Sequence, residues 1–360
     1  MKVLILGGTG AMGRHLVRML DAKDHQVFVT SRTRSGDDGN VQYLKGNARD
    51  QVFTASLLSQ SWDAIVDFMV YGSSEFNQRY EHYLDSARQY VFLSSARVYA
   101  ESDEPITESS PRLLDVTTDT DYLKTDEYAL AKARQEDLLF KSGKKNWTII
   151  RPYITYDDER LQLGVLEKEE WLYRALQGRT IVTAKDIQAK RTTLTSGEDV
   201  SRAMASLIGN EDALGEAFHI TADQDLAWNE ISEIYMRILH QQGVNATLVE
   251  QELGQFLTWR SGKYQVVYDR LYDRIFDNKK IGEFVSTRGF IAPQAGLAQC
   301  LERFLQGQSY AFKTLNWREE ALKDRAVNQW ARLTEPERLK QSIIYNLFRT
   351  LPKVGRLIAR

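Results

Sequence analysis

The chain of 360 residues holds a single cysteine, Cys300, so no disulfide can close within it and cysteine-rich zinc sites are excluded. One thiol fits a reducing, cytoplasmic setting. Histidine is also scarce. His15, His25, His82, His219 and His240 are scattered without metal-ligand spacing, and no metal is expected. No apolar run approaches the roughly 18 residues that a membrane span requires. The amino-terminal MKVLILGG is too short and too glycine-rich for a signal peptide and reads as a first β-strand. An excess of one charge is missing too: 47 basic and 49 acidic residues leave a formal net charge of −2. That argues against a whole-surface field for nucleic acid, and no nucleic-acid partner is expected. What is present is an ordinary globular composition, 42% apolar and 27% charged, on a chain longer than one typical domain.

The first 150 residues alternate short β-branched runs with amphipathic stretches. KVLIL (2–6), QVFVT (26–30), VQYLK (41–45), AIVDF (64–68), YVFLS (90–94) and WTIIR (147–151) read as strands. Helical patterns lie near 11–21, 50–60, 73–88 and 125–142. This alternation predicts an α/β fold with a doubly wound, Rossmann-type parallel sheet, its ligand edge at the carboxyl ends of the strands. After Arg151 the rhythm changes. A helix over 160–177, a strand at 180–183, a helix over 198–209, a strand at 216–221 and a helix over 228–243 suggest a smaller mixed α/β domain. The expected division is a dinucleotide-binding domain (1–155, with segments that can exchange), a substrate domain (156–306) and a basic helical extension (307–360). Residues 331–360 carry seven Lys/Arg against two Glu.

LGGTGAMGRHL joins the first strand to the first helix. Gly7, Gly10 and Gly13 have the spacing for a tight turn, close backbone approach to a pyrophosphate and helix–sheet packing. The free N–H groups of the helix start favour phosphate. Thr9, Ala11 and Met12 complete the expected contact loop. An NAD site usually carries an acid about 20 residues further on. Here the second strand ends in Thr30, Ser31, Arg32, Thr33 and Arg34, with no acid. Ser31 can bond a 2′-phosphate and Arg32 can pair with it, so NADP(H) is favoured over NAD(H).

DEYALAKAR (126–134) places Tyr128 and Lys132 one helical turn apart. Spacing alone decides nothing, since 17 tyrosines and 18 lysines in 360 positions produce about one such pair by chance. Context decides. FLSSARVYA (92–100) ends the fifth strand upstream, and NWTIIRPYITY leads to Pro152 downstream. With the glycine loop, GNARD (46–50) and FDNKKI (276–281), this order resembles the extended short-chain dehydrogenase/reductase family of nucleotide-sugar epimerases, dehydratases and reductases, over roughly residues 1–306.

The resemblance implies roles. Tyr128 would be the general acid/base, Lys132 would favour its phenolate and bond the nicotinamide ribose, and Ser95 would bond the reacting oxygen, with Ser94 as the fallback. Asn47 and Phe68 would lie near the cofactor, and Pro152 and Ile154 against the nicotinamide. The sequence departs from the family in Asn47, where an acid is usual, and in DFMVYG (67–72), which is bulkier than the common ending of that strand. Ala96 and Arg97 follow the serine where 4,6-dehydratases carry Asp-Glu, which disfavours a dehydratase. A reductase and a 4-epimerase remain. A nucleotide-sugar diphosphate would need cations, with Lys190, Arg191, Arg270 and Arg274 available. The aromatic run 259–276 could stack a base but fits helix core better. A non-catalytic NADP-binding regulator and an RNA-binding protein of the same fold are the rival classes. A homodimer is possible, and the basic tail could contact a membrane surface or a partner, or pack on the protein itself.

Overall fold

The structure is a computed structural model. It describes residues 1–307, 312, 315–332 and 339–352, so Arg338, Lys353, Arg356 and Arg360 of the basic tail lie outside the described residues. The chain forms two compact units. Unit 1 comprises Met1–Asp157, Thr193–Asp225 and Arg274–Pro293, and unit 2 the remainder. A cut after residue 155 is therefore too simple, because two later segments return to unit 1. The strand Glu216–Ile220 explains one return: it pairs with the sheet at residues 148–152, where its buried Phe218, His219 and Ile220 find partners.

In unit 1 the strands β1 (Lys2–Leu6), β2 (Gln26–Ser31), β3 (Gly36–Asp38), β4 (Val41–Lys45), β5 (Trp62–Asp67), β6 (Ala87–Leu93) and β7 (Trp147–Pro152) join Glu216–Ile220 in one sheet. The order is Glu216–Ile220, β7, β6, β5, β1, β2, β4, β3. Only β3 runs antiparallel, against β4. Sequence patterning gives no sign of β3, whose Gly36, Asp37 and Asp38 are all exposed; the ladder with β4, not burial, forms it. Val3, Leu4, Ile5 and Leu6 are fully buried, as a continuous apolar run sandwiched between two helical layers should be. The chain leaves β1 for β2 on one side and later returns to place β5 on the other. The order thus reverses at β1, which puts a ligand crevice outside the carboxyl ends of β1 and β5.

The helical reading needs two corrections here. The 73–88 pattern is two short helices, Ser73–Asn77 and Tyr80–Ser86, with strand β6 already starting at Ala87. In unit 2 the helix expected over 160–177 spans only Lys168–Leu176, since Leu163 and Leu166 close a tight bridge before it.

Unit 2 pairs Ile181–Ala184 with Leu248–Gln251 in parallel and packs the helices Lys168–Leu176 and Trp228–Gln241 through stacked Trp171 and Tyr235 rings 4.5 Å apart. The run 259–276 reads as core in part: Phe256 and Trp259 are buried in edge contact, and the five residues Val266–Arg270 form a π-turn. The extension belongs to this unit. Its helix Trp317–Ala326 buries Glu320, Lys323 and Asp324. Arg174 reaches Glu320 and Asp324 at 2.8 and 2.7 Å, Arg179 reaches the same two at 3.0 and 2.9 Å, and Lys323 reaches Glu320 at 2.5 Å. Burial works against the Glu320 carboxylate, but Lys323, Arg174 and Arg179 together hold it down to about 2. The following helix, Leu339–Thr350, packs on this one through Tyr345, whose hydroxyl donates to Asp324 at 2.7 Å. No helix among the described residues is long and apolar enough to cross a membrane.

Candidate active site

β1 ends at Leu6 and the chain turns at Gly7, whose φ of +74° suits glycine. Its N–H donates to Thr30 Oγ1 at 3.0 Å, tying the turn to β2. A Cβ here would sit 2.9 Å from Met69 Sδ, on the segment after β5. At Gly13, the first residue of the helix Gly13–Asp21, a Cβ would fall 2.6 Å from the Gly8 backbone, so the helix approaches the sheet only because no side chain intervenes. Gly10 has open space beside it. This loop is the shape a dinucleotide pyrophosphate requires: bare backbone on the open side and a helix start behind it.

A second layer supports the loop, and no sequence motif marks it. A Cβ at Gly197 would meet Ala11 O at 2.6 Å, and Ser201 Oγ donates to Met12 O at 2.8 Å. Both belong to the helix Gly197–Leu207. Arg14 and His15 both engage Asp157, the latter at 2.8 Å, just beyond the short strand β8 (Ile154–Tyr156). Only the small-residue run SGEDVSRA hints at such close packing.

At the end of β2, Ser31 Oγ accepts from the N–H groups of Thr33 and Arg34 at 3.3 and 3.0 Å, which shapes the turn. Arg32 is exposed, and the Arg34 guanidinium lies 5.6 Å from the Tyr43 ring. Exposed Asn47 accepts from Arg49 N–H at 3.1 Å. Phe68 N–H donates to Leu6 O at 3.0 Å, and its ring packs partly buried against the core. Pro152 and Ile154 are buried where β7 passes into β8.

Tyr128 is the first residue of the helix Tyr128–Lys141. Glu127 caps it, accepting from Ala129 N–H at 2.9 Å. Asp126 accepts from Ser73 N–H at 2.9 Å, fixing the helix start against the segment that follows β5. Buried Ala129, Leu130, Ala131 and Ala133 let the helix lie close to the sheet. Lys132 is 1% exposed; its Nζ donates to Leu93 O at 2.7 Å and stands 4.5 Å from the Phe92 ring centre. Burial pushes its ammonium down to about 8, with Asp67 and Glu136 opposing. Ser95 follows two residues after Leu93, and its Oγ accepts from Arg97 N–H at 3.2 Å. The Arg97 guanidinium lies 5.2 Å from the Tyr128 ring centre and pairs with Glu127 at 2.6 Å. Ser95, Arg97, Tyr128 and Lys132 therefore gather at the carboxyl end of β6. Arg97 is the addition that sequence reasoning missed, although it is two residues from the chosen serine.

Ser94 is spoken for. Its hydroxyl donates to Glu136 Oε1 at 2.6 Å, and Glu136 also holds both Arg151 Nε and Nη2 at 2.8 Å. Of the cations proposed for a diphosphate, Arg274 is fully buried and bonds Tyr99 O and Ala100 O. In unit 2, Arg270 is buried on Gly164 O and Asp269. Arg191 is exposed, as its position at a strand edge allows.

A family model described as NAD dependent epimerase/dehydratase matches residues 3–221, a span that contains the glycine loop and the Tyr128 helix. The chain belongs to that family. Membership brings a nicotinamide dinucleotide as cofactor. Two relatives share sequence beyond this span. Chloroplast stem-loop binding protein of 41 kDa b from Arabidopsis thaliana is 27% identical over 248 residues, which are 64% of this chain and 61% of that protein. The 2'-dehydrokanamycin reductase of Streptomyces kanamyceticus is 26% identical over 249 residues, 68% and 67% of the two chains. In fold, the chain is similar to the UDP-glucuronic acid 4-epimerase of Bacillus cereus, solved with UDP-glucuronic acid and NAD: the TM-score is 0.64 at 14% identity, covering 85% of this chain and 99% of that one.

Proposed function

We propose that this protein is an NADP(H)-dependent oxidoreductase or epimerase of a nucleotide-activated sugar, working by hydride transfer at a sugar carbon with Tyr128 as acid/base. The observation that carries the reading is the set Ser95, Arg97, Tyr128 and Lys132 at the carboxyl end of β6. The Gly7–Gly13 loop would hold the pyrophosphate, Ser31 and Arg32 the adenosine end, and Lys132, Pro152 and Ile154 the nicotinamide end. When bound, the nicotinamide ring gives or takes the hydride. The chain's own part is the proton. The Tyr128 hydroxyl exchanges it with the substrate oxygen, and two cations lower the cost of the phenolate: Lys132 from the next helical turn and Arg97 over the ring. Ser95 is preferred over Ser94 for bonding the reacting oxygen, because the Ser94 proton is committed to buried Glu136.

The likeness to a reductase of an oxidised aminoglycoside supports carbonyl reduction, and the fold shared with a sugar-nucleotide epimerase supports the nucleotide sugar. Tyr128→Phe tests the reading. Turnover of keto sugar nucleotides, followed by NADPH absorbance, should fall at least about 100-fold, while cofactor binding by fluorescence stays at the parent level. Full activity in the variant would remove Tyr128 from the mechanism. A second reading, RNA binding on the same fold, is favoured by the likeness to the chloroplast stem-loop binding protein. Salt-dependent retention of a stem-loop RNA would support it.

A further inference from the structure

Asp67 is an acid in a place that needs explaining. It ends β5, is 0% exposed, and lies beside Phe92 in the parallel ladder with β6. The Phe92 ring is the one that the Lys132 ammonium overlies. The carboxylate has no basic side chain in contact among the described residues. It is held by neutral donors: Met69 N–H at 2.9 Å, Tyr90 Oη at 2.8 Å and, more loosely, Tyr71 Oη at 3.5 Å. Tyr71 Oη in turn meets Tyr83 Oη at 3.1 Å, and Arg79 lies over the Tyr71 ring at 5.4 Å. An ionised carboxylate so deep in an apolar layer is costly unless a cation shares its surroundings.

We propose that Asp67 is a positioning residue for Lys132: from the neighbouring strand it keeps the buried ammonium charged and directed at the carboxyl end of β6. The inference rests on the reading of Lys132 as the residue that favours the Tyr128 phenolate. Among the described residues, two carboxylates act on Lys132. Glu136, on its own helix, is already neutralised by Arg151 and Arg112. Asp67, on β5, has no such claim on it, so its negative charge is the one available to the ammonium. The aromatic hydroxyls serve Asp67: their hydrogen bonds favour the ionised carboxylate, against a burial that lifts it to about 6. Lys132, at about 8, and Asp67 thus bracket neutral pH, where both are charged.

The test reads the amine directly. In protein labelled with 13Cε-lysine, the Lys132 signal is assigned by its loss in Lys132→Arg and followed against pH. The unaltered protein should show a main step near 8 and a smaller one near 6, as Asp67 takes up its proton. In Asp67→Asn the smaller step should vanish and the main midpoint should fall by about one unit or more. A single step in the unaltered protein overturns the proposal without any reliance on the variant folding. So does an unmoved midpoint in folded Asp67→Asn. Because the signal is read without substrate or cofactor, the result is independent of whether Tyr128 proves catalytic.

Discussion

Each unit buries a lysine, and the two are treated differently. Lys323 in unit 2 is 0% exposed; it touches Glu320 at 2.5 Å and donates to Glu170 O at 3.0 Å. Around it, two arginines and one further carboxylate, Asp324, close a network in which every charge has an opposite neighbour. Lys132 in unit 1 is as deeply buried, yet its Nζ rests on one backbone carbonyl and an aromatic face, and its carboxylates act from further off. Burial lowers both ammonium groups. The lesson is that depth does not separate structural from chemical charge. A fully matched cluster spends its electrostatics on holding two helices together. A charge left partly uncompensated, with a proton affinity near neutral, stays available to a reaction.

The largest expected effect lies in the matched cluster. Asp324→Asn leaves Arg174 and Arg179 short of a partner inside the protein, and breaking a buried pair on one side costs about 3–5 kcal/mol. Urea denaturation should show that loss, with turnover under native conditions near the parent value. Acid should act on the same place. The Glu320 carboxyl is held at about 2 against an ordinary 4.5. Its contribution is then fully present above about 4.5 and disappears as pH falls toward 2. If Asp324→Asn were as stable as the parent but inactive, the contrast between the units would be reversed.

Lys132→Met sharpens the contrast from the other side. Turnover should drop about 100-fold or more, equivalent to about 2.7 kcal/mol. Stability at pH 7 should change little, because relief of the buried ammonium is offset by Asp67, which loses its cation. A lysine lowered to about 8 in the folded state burdens folding below that pH, and the burden is gone above the ordinary lysine value of 10.5. Methionine removes the charge while keeping most of the packed stem. Loss of stability together with retained turnover would make Lys132 another Lys323.

Legibility in the sequence followed the same division. KVLIL was readable to the residue because a parallel strand buried on both faces is a continuous apolar run, and VQYLK, only partly buried, because Gly-Asn pairs bound it on both sides. The glycine loop and the Tyr128 helix were readable because their spacing is set by local backbone geometry. Arg97, Gly197, Ser201 and Asp67 were not, since each acts on a residue distant in the chain and carries no periodic signal. The buried charges of the helix Trp317–Ala326 were the least legible. WREEALKDRA looks like a solvated face, and only the partners Arg174 and Arg179, some 140 residues earlier, reverse that reading.

An exposed cation supplies the third case and the smallest effect. Arg32 stands at the end of β2 with its guanidinium in solvent. It neither holds the fold nor moves a proton, so its proposed role is choice of cofactor. Ser31 already accepts two backbone N–H bonds, and Arg34 lies against Tyr43, which leaves Arg32 as the side chain best placed to pair with a 2′-phosphate. Arg32→Ala should weaken NADPH binding about tenfold, about 1.4 kcal/mol, leave NADH binding nearly unchanged and not shift the unfolding midpoint. Fluorescence titration with the two cofactors measures the ratio. An unchanged preference would place the selectivity elsewhere on the β2 turn. A parent protein that prefers NADH would overturn the NADP(H) reading while leaving Tyr128, Lys132 and Asp67 untouched, since none of them lies on the β2 turn.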